Sequence, residues 1–433
     1  MFSIFMVPCF SMCELLVSEM IMIMVLLSSP YIFFSWNMPY MMCLSLFFDK
    51  LSLYLGLMTF WICSLMIYTL SNYNYSSFKK KGGIFLTCML SLTLILMFYS
   101  VSFINFFMLF EFSMIPTMLL ILGWGYQPER LEAFFNFFYF TSIPSMPLLT
   151  YIMFYSDFSM IMIYMNDVNW LNIMFYLIFS VFLVKIPLYF SHFWLPKAHV
   201  EAPVAGSMIL AGILLKMGGY GLIRFINFIK FNISNYFVMS ISSLGMVMSC
   251  VMCFLSPDLK MVIAYSSVSH MNFMITGLLV NKNLVMFSSL LMMLSHALSS
   301  SGMFYLCDVL YKRSHSRSIL LNKSSIIVCP MISFWWMIFC IINMAFPFTP
   351  GNLSEMFLGM MLLKTLSFIM CLILMAYFFL SAYYSIFIYY SINHGFSESE
   401  NLFWPLDLKE NLTMLSHCLP CVILSFMSFT MMM

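Results

Sequence analysis

Runs of mostly apolar residues, each about as long as the roughly 20 residues that cross a hydrocarbon core as a helix, recur along the chain with only short breaks between them. A soluble core needs no such repetition. With 63% hydrophobic and 8% charged residues, the sequence predicts an all-α polytopic membrane protein. Cutting at the polar and Pro/Gly breaks gives about fourteen spans. They fall near residues 1–12, 14–35, 49–70, 83–101, 103–121, 133–155, 172–192, 202–225, 234–254, 260–281, 283–310, 327–362, 365–391 and 411–431.

Proline places the breaks inside these spans. Pro187 predicts a loosened turn late in span seven, and Pro347, Pro350 and Gly351 predict a broken span twelve. Broken backbone is tolerated at membrane depth only where it faces protein or a wet cavity. The stretch "SHFWLPKAHVEAPVAGS", residues 191–207, reads as the turn between spans seven and eight. There Pro196 ends one helix and Pro203 starts the next, with His199 a turn residue or a proton entry point.

Lys and Arg number eleven in the loops after odd-numbered spans and five after even-numbered ones, which places the former loops inside and both termini outside. The first 49 residues hold neither Lys nor Arg, so no basic leader is expected and the chain is expected to be inserted where it is made. The 48 Met, 49 Phe and 24 Tyr fit the codon pool of an organellar genome.

No loop is long enough for a soluble domain, and there is no Gly-rich phosphate loop, haem attachment motif or Fe–S cysteine run. Of the 13 cysteines, Cys250 with Cys253 and Cys418 with Cys421 have Cys-x-x-Cys spacing. Lying inside apolar helices without further ligands, they read as small hydrophobes, so no metal is expected.

Chemistry is therefore expected inside the membrane, where each charge is costly and marks a candidate site. Four stand out: Glu111 in span five, Lys185 in span seven, Lys216 in span eight and Glu355 in span twelve. Lys185 beside Pro187 can trade protons with a nearby carboxylate such as Glu111, or the two can form a static pair that pins helices. Glu355 follows Gly351 and Asn352, a candidate cap for the restarted half-helix. It is either a switchable acid or a carboxylate serving that helix end. His192, His270 and His296, with the serines of "AYSSVSH" and "SHALSSSG", can form a relay or bond helices together. Charged, Pro-interrupted spans in both halves point to inverted repeats, spans four to eight and nine to thirteen.

Three segments carry a resemblance: "FEFSMIPTMLLILGWGYQPERLEA", "FLVKIPLYFSHFWLPKAHVEAPVAGSMILAGILLKMGGYGLIRF" and "DLKMVIAYSSVSHMNF", followed by "PFTPGNLSEMF". Together they resemble the antiporter-like membrane subunits of mitochondrial NADH:ubiquinone oxidoreductase, respiratory complex I. The resemblance is weak over the first 80 residues. It implies fourteen helices with two inverted five-helix repeats, giving residues 1–82 as N-terminal spans, 83–225 and 234–391 as the repeats, and 392–433 as a C-terminal loop and span.

By the same resemblance Glu111 pairs with Lys185, Lys216 is the central lysine, and Glu355 is the terminal proton-exchange group. Glu355 where relatives often carry Lys, and the lack of a long C-terminal extension, set the chain apart from chains 2 and 5 of that complex. The implied role is to pump protons from matrix to intermembrane space across the mitochondrial inner membrane. NADH, FMN, Fe–S clusters and ubiquinone would be bound by other subunits. Chains 2 and 5, accessory subunits and lipids such as cardiolipin would be partners, and nucleic acid would not. An independent cation/proton antiporter and a purely structural subunit are the alternatives.

Overall fold

A computed structural model describes residues 41–43, 46–71, 77–125, 128–155, 172–226, 233–365, 368–395 and 405–430. The expected spans at 1–12 and 14–35 lie outside them. Among the described residues, two short strands precede the helices, β1 (Met41–Cys43) and β2 (Leu46–Phe48), antiparallel with Met41 opposite Phe48. They correct the all-α expectation at one hairpin. The helices of the first half are α1 (Lys50–Ser71), α2 (Ser77–Tyr99), α3 (Phe103–Phe112), α4 (Met114–Trp124), α5 (Arg130–Tyr155), α6 (Asn172–Lys185), α7 (Trp194–Glu201), α8 (Val204–Ile209) and α9 (Leu215–Ile226). Then come α10 (Ile233–Leu255), α11 (Leu259–Leu278), α12 (Asn283–Ser314), α13 (Ser325–Val328), α14 (Pro330–Asn343), α15 (Pro350–Thr365), α16 (Phe368–Asn393) and α17 (Leu408–Thr430).

Among the described residues, seven helical stretches are long and apolar enough to cross a membrane, counting α3 with α4 and α8 with α9 as one stretch each. Their buried sides are Leu, Phe, Met and Ile, packed into one continuous core. Many of their other large apolar residues, such as Phe85 and Leu96 on α2 and Phe379 on α16, remain exposed. Apolar side chains on both sides of a helix suit a lipid surround rather than water.

The breaks follow proline chemistry. After Lys185 the helix stops, because Pro187 has no N–H to give to Leu183, whose carbonyl accepts instead from the Leu188 N–H at 3.1 Å. Turns follow, with Phe190 in the left-handed region at φ 77°. Span seven was expected to continue to residue 192, so the break comes earlier than its predicted end. Nor does Pro196 end a helix: it sits in the first turn of α7, where its missing N–H is harmless. The stretch 191–207, expected as a turn between two spans, instead holds a short, mostly buried helix and the start of the next one.

Span five is interrupted too, between α3 and α4 at Ser113, one turn before Pro116, which cannot donate to the Phe112 carbonyl. Span twelve divides as expected. Its α14 ends at Asn343, Ala345 and Phe348 are left-handed at φ 55° and 71°, and Pro350 opens α15. The restarted helix is capped by Thr349, whose Oγ1 accepts the Asn352 N–H at 3.3 Å, and not by the Asn352 side chain as expected.

The loops sort to two ends. Trp124 donates to the Lys79 carbonyl, Lys197 bonds Glu132, and Lys260 and Arg317 donate to the Ala202 and Val200 carbonyls at 2.8 and 2.6 Å. A second set joins Asp49 to Arg224 and Asn281 to the Ile226 carbonyl. These contacts gather the loops into two groups, as alternating helix directions require.

Candidate functional site

Between α8 and α9 the backbone widens into a π turn, Leu210–Leu214, in which the Leu215 N–H reaches back five residues to the Leu210 carbonyl. This leaves the Ala211 carbonyl for the Lys216 side chain, which donates to it at 2.5 Å. The same ammonium meets Nδ1 of His296, on α12, at 2.8 Å. Both side chains are buried, with residue exposures of 1% and 3%. A buried ammonium without such partners would be far more costly.

The His270 ring, on α11, lies 5.7 Å from that of His296, centroid to centroid. His270 is held on both sides by α16: Tyr377 Oη is 3.0 Å from its Nδ1 and Tyr384 Oη is 2.9 Å from its Nε2. The Tyr377 hydroxyl also donates to Glu355 Oε1 at 3.4 Å, and His270 Nδ1 lies 3.4 Å from that oxygen. Glu355 therefore faces a histidine and a tyrosine rather than serving its own helix end. A small cavity whose lining includes His270, Ser295, His296, Ser299, Asn343 and Glu355 has room for about one water.

Amine, imidazole and carboxylate thus succeed one another, each able to accept and release a proton across one hydrogen bond or one water. Tyr377 and Tyr384 were missed by sequence reasoning. Their signal was available: Tyr377, Ser381, Tyr384 and Ser385 recur at i, i+4, i+7 and i+8, all buried on one face of an otherwise apolar helix.

Lys185 and Glu111 form a second, separate cluster. The Lys185 ammonium sits 3.8 Å from the Phe110 ring centroid and donates to Met114 Sδ at 3.1 Å. Those residues flank Glu111 in sequence, yet among the described residues no Lys185–Glu111 ion pair forms within 4 Å. Glu111 Oε1 is buried without a hydrogen-bond partner. The two charges feel each other without touching. The clusters are joined through packing, because Gly218, two residues past Lys216, lies against Ile186 and Lys185.

His192 stands apart from this line. Its ring stacks between Tyr189 and Phe193 at 5.0 and 4.7 Å, and its Nδ1 has no hydrogen-bond partner. His199 is fully buried, stacked on Phe304 at 4.5 Å with neither ring nitrogen bonded. Lys260 and Lys216 both act on it electrostatically.

The family model described as NADH:quinone oxidoreductase/Mrp antiporter, transmembrane, matches residues 100–382. Its range begins beyond the N-terminal stretch where the sequence resemblance was weak. NADH-ubiquinone oxidoreductase chain 4 of Ceratitis capitata is 42% identical over 313 residues, covering 71% of this chain and 70% of the relative. The chain 4 of Rhipicephalus sanguineus is 40% identical over 380 residues, covering 87% of this chain and 86% of the relative. A chain in the structure of respiratory complex I from Thermus thermophilus with bound NADH superposes with a TM-score of 0.80 at 18% identity. The match covers 94% of this chain and 90% of that one, and shows the shared fold. Chain 4 is also the group to which Glu355 in span twelve pointed, in contrast to chains 2 and 5. The chain belongs to the NADH:quinone oxidoreductase/Mrp antiporter transmembrane family, among the chain 4 relatives.

Proposed function

We propose that this chain translocates protons in the membrane arm of NADH:ubiquinone oxidoreductase, moving them from matrix to intermembrane space while electrons pass from NADH to ubiquinone on other subunits. The observation that carries the reading is the buried succession Lys216, His296, Glu355, its last gap spanned by a cavity of about one water. A proton leaves His296 Nε2 through that water as an O–H bond forms on Glu355, and Lys216 returns a proton to His296 at Nδ1. The ammonium and the carboxylate both end neutral.

Lys185 and Glu111 precede this line. Because they sit near each other without a bridge, a shift of either can change the charge that Lys216 feels. The reading keeps fourteen spans in two inverted five-helix repeats, residues 83–225 and 234–391, with both termini on the intermembrane-space side of the mitochondrial inner membrane. It places antiporter-like chains 2 and 5 and cardiolipin alongside, and leaves NADH, FMN, Fe–S clusters and ubiquinone to other subunits.

The test replaces Lys185→Met and Glu111→Gln separately in the assembled complex and measures protons moved per NADH oxidised. A fall in both variants is expected. Normal pumping in both would leave the charges a structural role only.

A further inference from the structure

His270 is the one member of the buried set whose two ring nitrogens both meet hydroxyls, and both hydroxyls come from one helix. Tyr377 and Tyr384 are fully buried, seven residues apart, and reach opposite edges of the ring. A neutral imidazole has one donor and one acceptor nitrogen, and its neighbours decide which is which. The Asn343 amide donates to Tyr384 Oη at 3.5 Å, which leaves the Tyr384 O–H free to donate to His270 Nε2. On the other edge Nδ1 faces Tyr377 Oη at 3.0 Å and Glu355 Oε1 at 3.4 Å. An ionised carboxylate only accepts, so a bare Nδ1 lone pair there would oppose it. With hydrogen on Nδ1, every contact has one donor and one acceptor: Asn343 to Tyr384 to His270, then His270 to Tyr377 to Glu355.

We infer that Tyr384 and Tyr377 are positioning residues that lock His270 in the Nδ1–H tautomer, so that the Tyr377 hydroxyl hydrogen is turned onto Glu355. This deepens the proposed function and rests on it. The His270 lone pair is occupied by Tyr384, so a proton leaving His296 goes to Glu355 through the cavity and does not rest on His270. His270 braces the acceptor instead of relaying.

The experiment uses the intact complex with ring-15N histidine and reads the tautomer from the imidazole signal that His270→Gln removes. The wild type is expected to show Nδ1–H, and Tyr384→Phe and Asn343→Leu are expected to weaken that signature. Tyr377→Phe is expected to slow proton-coupled NADH oxidation roughly tenfold, below the full contribution of a positioned proton carrier. An Nε2–H signal in the wild type overturns the inference, whether or not any tyrosine variant assembles. Glu355→Gln separates the two levels. If it leaves protons per NADH unchanged, the proposed function itself fails. If it lowers that ratio while both tyrosine variants keep the wild-type tautomer and rate, only the positioning role fails.

Discussion

The Lys216 ammonium and the His296 imidazole meet nitrogen to nitrogen at 2.8 Å. Because an ammonium only donates, His296 Nδ1 accepts, and the ring carries its hydrogen on Nε2. That nitrogen is buried and makes no hydrogen bond to protein. A buried donor left open in this way is costly unless a water takes it. The cavity beside it offers that water a place, and the proposed path to Glu355 starts from this open donor.

Packing around Gly218 keeps the two lysine clusters together. A Cβ there would stand 2.7 Å from Ile186 Cγ1 and 3.1 Å from Lys185 Cβ. Gly218→Val is expected to cost about 1–3 kcal/mol by overpacking. Thermal denaturation of the assembled complex checks this, and an unchanged midpoint would show that α6 and α9 can separate freely.

The buried pair Arg313–Glu410 ties α12 to α17, with Nη2 to Oε2 at 2.6 Å and further bonds from Arg313 to the Val309 and Pro405 carbonyls. Arg313→Ala is expected to destabilise by about 3–5 kcal/mol, because it strands a buried carboxylate. Arg313→Met combined with Glu410→Leu should recover part of that loss. Limited proteolysis of the C-terminal helix in the three forms would reveal the order, and equal protection in all three would contradict it.

Lys197 and Glu132 make the opposite case, an ion pair with side chains 50% and 60% exposed at the loop end of α5, before the expected span at 133–155. The Lys197 ammonium holds the Glu132 carboxyl below its usual range, first through their hydrogen bond and then through charge. A depressed carboxyl contributes stability that is present above its ordinary value of about 4.3 and is lost as pH falls through the lowered one. Solvent screening keeps that contribution small. Lys197→Ala should therefore leave thermal stability at pH 7 unchanged, and a clear loss there would mean that the pair is shielded.

Much of this architecture was legible because membrane burial writes strong signals. Apolar runs marked α1, α10, α12 and α16, proline marked the breaks after Lys185 and before Pro350, and the cost of buried charge singled out Lys216 and Glu355. What escaped depends on partners distant in sequence. Nothing in "LAGIL" announces a π turn, because the Ala211 carbonyl is taken by a lysine side chain that only the folded turn brings back to it. Thr349 rather than Asn352 caps α15 because the helix begins at Pro350, and sequence patterns place helix ends least well. The polar stripe of Tyr377, Ser381, Tyr384 and Ser385 marks a buried face of α16 in the sequence, but its partner, His270 on α11, is set only when the helices pack.

The central claim is that Lys216 feeds protons towards Glu355, and Lys216→Met tests it most directly. Purified complex carrying that variant in proteoliposomes is driven with NADH, and proton uptake is recorded against NADH oxidised. A sharply lowered proton-to-NADH ratio with the complex fully assembled is expected, since the substitution removes both the ammonium and its bond to His296. An unchanged ratio would contradict a path through this chain.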